Sequence, residues 1–374
     1  MSKNHNFLRI VYFGCLILMP SLAVAESTDV IISAGDPTVK DGDCDLNPAI
    51  YSILGKGVVG SVFIPSRGFI AAHSDGYILT SSNGESWKVI TDVLVPNLSM
   101  ESLYSLAWDG ESLFLSTFGG KIYRSDNSAQ WMHVYTSSKD IYAPKLYANN
   151  NAVIFEERDS SGVKYLYSKD KGITWGDSLD HRMPVNGRLS EDNGKFYYVT
   201  KDGDIWVSND GAGWAHIESI GSDALGSVIE GKDIRVLVGN GIKVSMDMSS
   251  WESKEIPYKS QRFLNDGLLN KFGFIVYGGC GVLLQSTNGV AWERIKTNVY
   301  TEFMAIASDG ERIIVVGKGG SDGHGIVMLS YDGKIWNDIS MKIDKAIKDF
   351  RKSMGLKGSV TNEQTKHRDT LNYP

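Results

Sequence analysis

The chain has 374 residues, 42% of them apolar, and no charge-rich low-complexity block, so it can bury one large core or two ordinary ones. Its formal net charge of −6 argues against nucleic acid as a partner, because phosphate binding calls for a basic surface. Length and charge choose no further.

Residues 1–25 read as a secretory signal peptide. Lys3 and Arg9 give a positive start, an apolar stretch runs from Phe7 to Leu22, and Ala23-Val24-Ala25 sets small residues where a signal peptidase cuts. Pro20 and Ser21 interrupt the apolar run short of the roughly 20 residues that a spanning helix needs. Tyr12-Phe13-Gly14 before Cys15 is a poor lipoprotein signal. Cleavage after Ala25 predicts an exported protein, periplasmic or secreted, without an integral membrane segment. It leaves 36 basic against 44 acidic residues, a net charge of −8.

Residues 26–57 form an N-terminal extension, in which Asp29 to Ala34 reads as a strand that would pair with the end of the fold. Asp41, Asp43 and Asp45 alternate as in a calcium loop. Leu46 stands where such a turn needs Gly, and Ser52 where its bidentate Glu would be, so a polar linker is the competing reading. Cys44 and Cys280 are the cysteines that survive cleavage. In an oxidising compartment they are a candidate disulfide, against the alternative of two unpaired thiols.

From residue 58 to 342 one motif recurs seven times: SSNGESW, SDNSAQW, SKDKGITW, SNDGAGW, SMDMSSW, STNGVAW and SYDGKIW. Its tryptophans are Trp87, Trp131, Trp175, Trp214, Trp251, Trp292 and Trp336, spaced by 44, 44, 39, 37, 41 and 44 residues. A period near 40 residues with strand-like flanks predicts propeller blades of four strands each. In the second blade, Leu103 to Trp108, Ser112 to Phe118 and Lys121 to Ser125 read as three strands, and Trp131 opens a fourth. A Ser followed two residues later by Asp or Asn lets side-chain oxygens bond the turn's own N–H groups, with Gly taking positive φ and Trp packing over the hairpin. The motif is therefore assigned to structure rather than to chemistry.

Ile343, Ile347, Phe350 and Met354 share one face of a predicted helix between Met341 and Met354, with Gly355 as its stop. This helix and a polar tail make up residues 343–374. Packing on the protein's own surface and docking to a partner both remain open for it. The predicted architecture is all-β: a seven-bladed β-propeller with an N-terminal extension and a short C-terminal amphipathic helix.

The repeat resembles the Asp-box, or BNR, repeat of sialidase-like propellers, Ser-x-Asp-x-Gly-x-x-Trp. Ser168, Asp170, Gly172 and Trp175 match it letter for letter, and the other six copies are one residue shorter. The shorter form is similar to that of photosystem assembly and stability factors and other bacterial repeat propellers. The resemblance implies a fold more than a function. It does not bring sialidase chemistry, because Phe63-Ile64-Pro65-Ser66-Arg67 sets the Arg after the Pro, and those enzymes have six blades.

In such propellers the motif turns lie on one face. The turns between second and third strands, with the links between blades, lie on the other, where ligands usually meet the scaffold. This loop face contributes His73, Asp75, Asp180, His181, Arg182, Tyr258, Lys259, Arg262, Tyr300 and Glu302 as candidate binding residues. Asp180-His181-Arg182 is the most reactive-looking set, with a solvated link as its competing reading. No catalytic residues, cofactor or metal ligands are assigned beyond the calcium comparison. The expected function is an exported, non-enzymatic module that binds a protein or glycan. A carbohydrate-active hydrolase of sialidase-like fold, which needs two nearby carboxylates, is the alternative.

Overall fold

A computed structural model describes residues 56–92, 102–179, 183–184, 186–221, 225–247, 249–257, 263–299, 301–319 and 325–356. Among them, 28 strands form seven antiparallel sheets, each built from four strands consecutive in sequence. The first strand of every sheet packs against the first strands of both neighbours, the seventh blade against the first included. The result is a closed ring around a central channel, a seven-bladed β-propeller.

Sequence pattern explains the layering. Second strands such as Ile313–Gly317 are buried throughout, because both of their faces meet neighbouring blades, and they read as unbroken apolar runs. Fourth strands such as Met132–Thr136 are mostly exposed and polar. Seven apolar clusters fill the seven interfaces between blades, and each takes one motif tryptophan from the later blade.

The motif's hydrogen bonds show how it fastens a turn. Asn288 Oδ1 accepts the amides of Val290 and Ala291 at 2.9 and 3.0 Å, Ser286 Oγ accepts Gly289 N–H, and Trp292 Nε1 donates to Gly289 O at 2.9 Å. Gly289 sits at φ 75°, the left-handed region that glycine adopts without strain. Trp87, Trp131, Trp175, Trp214 and Trp336 donate to their own turns in the same way. Trp251 donates to Glu218 Oε2 at 2.7 Å. Asn288→Ala should cost about 1–2 kcal/mol, because two turn amides lose their acceptor. Urea unfolding will measure it, and an unchanged midpoint would refute the role given to the side chain.

The C-terminal helix runs from Ser340 to Ser353. It starts one residue before the Met341 read from the sequence, directly after the last strand, and Asp338 Oδ1 accepts the Ser340 amide at 2.9 Å. It packs on the propeller itself. Ile339, Ile343, Ala346 and Ile347 enter the cluster between blades seven and one, beside Tyr77 and Trp87. Phe350 lies edge-on to Tyr77, and Arg351 Nη1 donates to the Tyr77 hydroxyl at 2.9 Å. Residues 29–34, expected to pair with the last blade, lie outside the described residues. That blade draws its four strands from residues 303 to 338.

Candidate binding site at the channel mouth

First strands begin on the loop face, so side chains near their starts line the channel mouth there. Lys145 and Tyr147 come from blade three, Arg188 from blade four, Asp266 from blade six, and Glu302 directly precedes the first strand of blade seven. Glu156 and Arg158, on the second strand of blade three, rise to the same level. Lys145, Tyr147, Arg188, Asp266 and Glu302 each keep partial exposure.

One bond reaches across the opening, and others join neighbours around it. Arg188 reaches past blade five to donate to the Asn265 carbonyl, with its guanidinium carbon 4.7 Å from the Phe263 ring centre. Tyr147 donates to Glu156 Oε2 at 3.2 Å, and Arg158 to Glu156 Oε1 at 2.7 Å. The Tyr277 hydroxyl donates to Met304 O at 3.1 Å.

The electrostatics follow from burial. Desolvation holds the Lys145 ammonium below its ordinary value, and neighbouring Arg188 adds to this while Glu156, Glu302 and Asp266 oppose it. Burial likewise pushes the Asp266 carboxyl up, opposed by Arg188, the Gly267 amide and Lys145. The phenols of Tyr104, Tyr147 and Tyr277 are raised by burial first and by the carboxylates around them second. Lys318 is 6% exposed, with its ammonium depressed by burial and lying 5.1 Å over the Tyr104 ring. The mouth thus gathers charges of both signs and tyrosines in partly desolvated surroundings, with Lys145, Arg158 and Arg188 on blades three and four and Asp266 and Glu302 on blades six and seven.

Of the residues chosen from the sequence, Glu302 belongs to this ring. His73 is 3% exposed and packs on Tyr77, with Nδ1 accepting the Asp75 amide. Asp75 pairs with Lys56 at 3.2 Å, and Ser74 O accepts the Leu103 amide, so this corner joins blade one to blade two. Asp180, His181, Arg182, Tyr258, Lys259, Arg262 and Tyr300 lie outside the described residues, as do Asp41, Asp43, Asp45 and Cys44. Cys280 is disulfide-bonded. Lys145, Arg188 and Asp266 escaped the loop-centred choice because they sit inside strands. Their signal is a lone charge near the start of an inner strand, in KLYAN, GRLSED and LNDGLLN.

On the motif face a polar cleft of about 380 Å³ opens between blades two and three. Its lysines are engaged, Lys171 with Glu111 and Lys169 with Asp210 at 2.6 Å. Among the described residues no group of three or more His, Cys, Asp or Glu is placed to hold a metal ion, and no helix is long and apolar enough to cross a membrane.

The seven four-stranded sheets define a seven-bladed β-propeller. No protein-family model matches the sequence, and no curated protein matches it. Solved structures share the fold. YCF48 from Cyanidioschyzon merolae is 13% identical, with a TM-score of 0.50, over 74% of this chain and 95% of that one. YCF48 bound to a D1 peptide is 16% identical, with a TM-score of 0.52, over 74% and 93%. An inactive virginiamycin B lyase from Staphylococcus aureus with quinupristin is 12% identical, with a TM-score of 0.50, over 65% and 85%.

Proposed function

We propose that the protein is an exported, non-enzymatic β-propeller that receives a polypeptide segment of a partner at its loop-face channel mouth. The observation that carries this reading is the convergence of Lys145, Tyr147, Glu156, Arg158, Arg188, Asp266 and Glu302 from four blades on one opening. A mouth with donors and acceptors of both signs suits a peptide, whose backbone offers both and whose side chains carry either sign. That a propeller of this fold, YCF48, has been solved with a peptide bound supports the reading. The leader at residues 1–25 supports export, and the Ser, Asp or Asn and Trp repeat is assigned to the Asp-box type.

Glu156 is already engaged by Tyr147 and Arg158, and Asp266 by the Gly267 amide at 2.9 Å. This favours binding over hydrolysis of a glycan, for which a general acid and a partner carboxylate must both face the substrate. The mature protein should capture a partner from an envelope extract. Lys145→Ala and Arg188→Ala should each reduce that capture at least about tenfold, the weight of one buried charged contact, with thermal melts showing that both variants fold. Undiminished capture by both variants would move the site away from the channel, and capture reversed by free glycan would reassign the ligand.

A further inference from the structure

The C-terminal helix spends one side on the seam between blades seven and one and turns the other to solvent. Ile343, Ala346 and Ile347 are buried there, and Phe350 packs beside them. At about 3.6 residues per turn, Lys342, Lys345, Lys348 and Lys352 fall together on the opposite side, and Met341 falls among them. All five are exposed, Met341 to 85%.

The charge of this side is lopsided. Between Ser340 and Ser353 five basic residues stand against two acidic ones, in a chain whose formal net charge is −6. Asp344 is partly buried, and Asp349 is taken by Lys345 at 2.6 Å. Arg351 turns inward to the Tyr77 hydroxyl. Among the described residues no ion pair engages Lys342, Lys348 or Lys352. Lysines three and four apart on one helix repel each other, a cost that a negative partner relieves. Because the buried side locks the helix onto the ring, the stripe is rigid. It extends over about 20 Å, too long for one phosphate or carboxylate and suited to a plane of them.

We infer that the solvent side of this helix docks the protein on an anionic phospholipid surface, with Lys342, Lys345, Lys348 and Lys352 on the headgroup phosphates and Met341 entering the interface between them. The apolar side of the helix is already covered, so attachment rests on charge and one apolar anchor, and it is reversible. The channel mouth takes no part in it.

Vesicles of equimolar phosphatidylcholine and phosphatidylglycerol, compared with vesicles of phosphatidylcholine alone, test this by co-sedimentation with the full chain. The mixed vesicles should bind at least about tenfold tighter at low salt, and raised salt should abolish the difference as the charges are screened. Lys342→Ala, Lys348→Ala and Lys352→Ala together should weaken binding on the order of a hundredfold, since each lysine near the surface contributes about tenfold or slightly less. All three are exposed, so the melting temperature should stay that of the parent. Lys201→Ala with Lys232→Ala, two exposed lysines of blades four and five, should leave binding unchanged. Equal affinity for both kinds of vesicle, or an equal loss from the blade four and five variant, would overturn the inference. Binding of polyglutamate through the same lysines without binding of mixed vesicles would also overturn it and give the stripe to an acidic protein. No peptide partner enters these measurements, so their outcome is separate from that of the channel-mouth reading.

Discussion

Ile343→Ala is expected to destabilise the protein by about 2–5 kcal/mol, the range for truncating a buried aliphatic side chain, and Ile343→Asp by more, since it buries an unpaired charge. Ile343 is 0% exposed and sits in the one interface that the chain does not cross in sequence, between blades seven and one. Every other pair of blades is joined by a short link, which limits how far the two can separate. Here, among the described residues, both blades draw all four strands from their own segments and no exchanged strand joins them. The seam is held by an isolated bridge between Gly57 and Lys318, by apolar packing and by the helix laid over it. Met341, 85% exposed on the same helix, is the control, and Met341→Ala should leave stability unchanged. Thermal unfolding tests the pair. Equal melting temperatures for Ile343→Ala and Met341→Ala would show that the helix does not clasp the ring.

A second large effect should appear with pH. Toward the motif-face end of the channel, burial raises the carboxyls of Glu191 and Asp192 to about 7. Their hydrogen bonds from the amides of Gly194 at 3.0 Å and Glu230 at 2.7 Å offset this only in part. Between pH 5 and 8 the folded state therefore holds protons that the unfolded state has released. Stability is complete below the unfolded carboxylate values and falls as pH rises through the folded ones, by on the order of 2 kcal/mol per group. Asp126 and Asp210, lowered to about 2, act in the opposite sense in a separate window below pH 4. Glu191→Gln with Asp192→Asn keeps an oxygen for each amide and removes both charges. The double variant should match the parent at pH 5 and exceed it by several degrees in melting temperature at pH 8. A constant difference across that range would refute the assignment.

The seven tryptophans, and the Ser and Asp or Asn before them, made the ring legible because each copy of the motif encodes one hairpin locally. Its bonds run between residues two to four apart, so no distant part of the chain is needed to form it. The inner strands of blades such as the second were readable for the same reason, and so was the amphipathic helix. Its destination was not. Ile343 and Ile347 show an apolar face in sequence, but that the face is covered by Tyr77 and Trp87, more than 250 positions away, follows only once the ring has closed.

The channel mouth was illegible for a related reason. His73 and Asp75 looked available because they sit in a predicted turn, yet His73 is buried and Asp75 pairs with Lys56. Lys145, Arg188 and Asp266 looked like strand residues, which they are. Sequence alone determined the fold class, the blade count and the structural duty of the motif, because those properties are short-range and repeat. Tertiary structure decided the site. Charges from strands about 40 to 120 residues apart become neighbours only when first strands converge on one axis, and the low-dielectric channel they share then couples them.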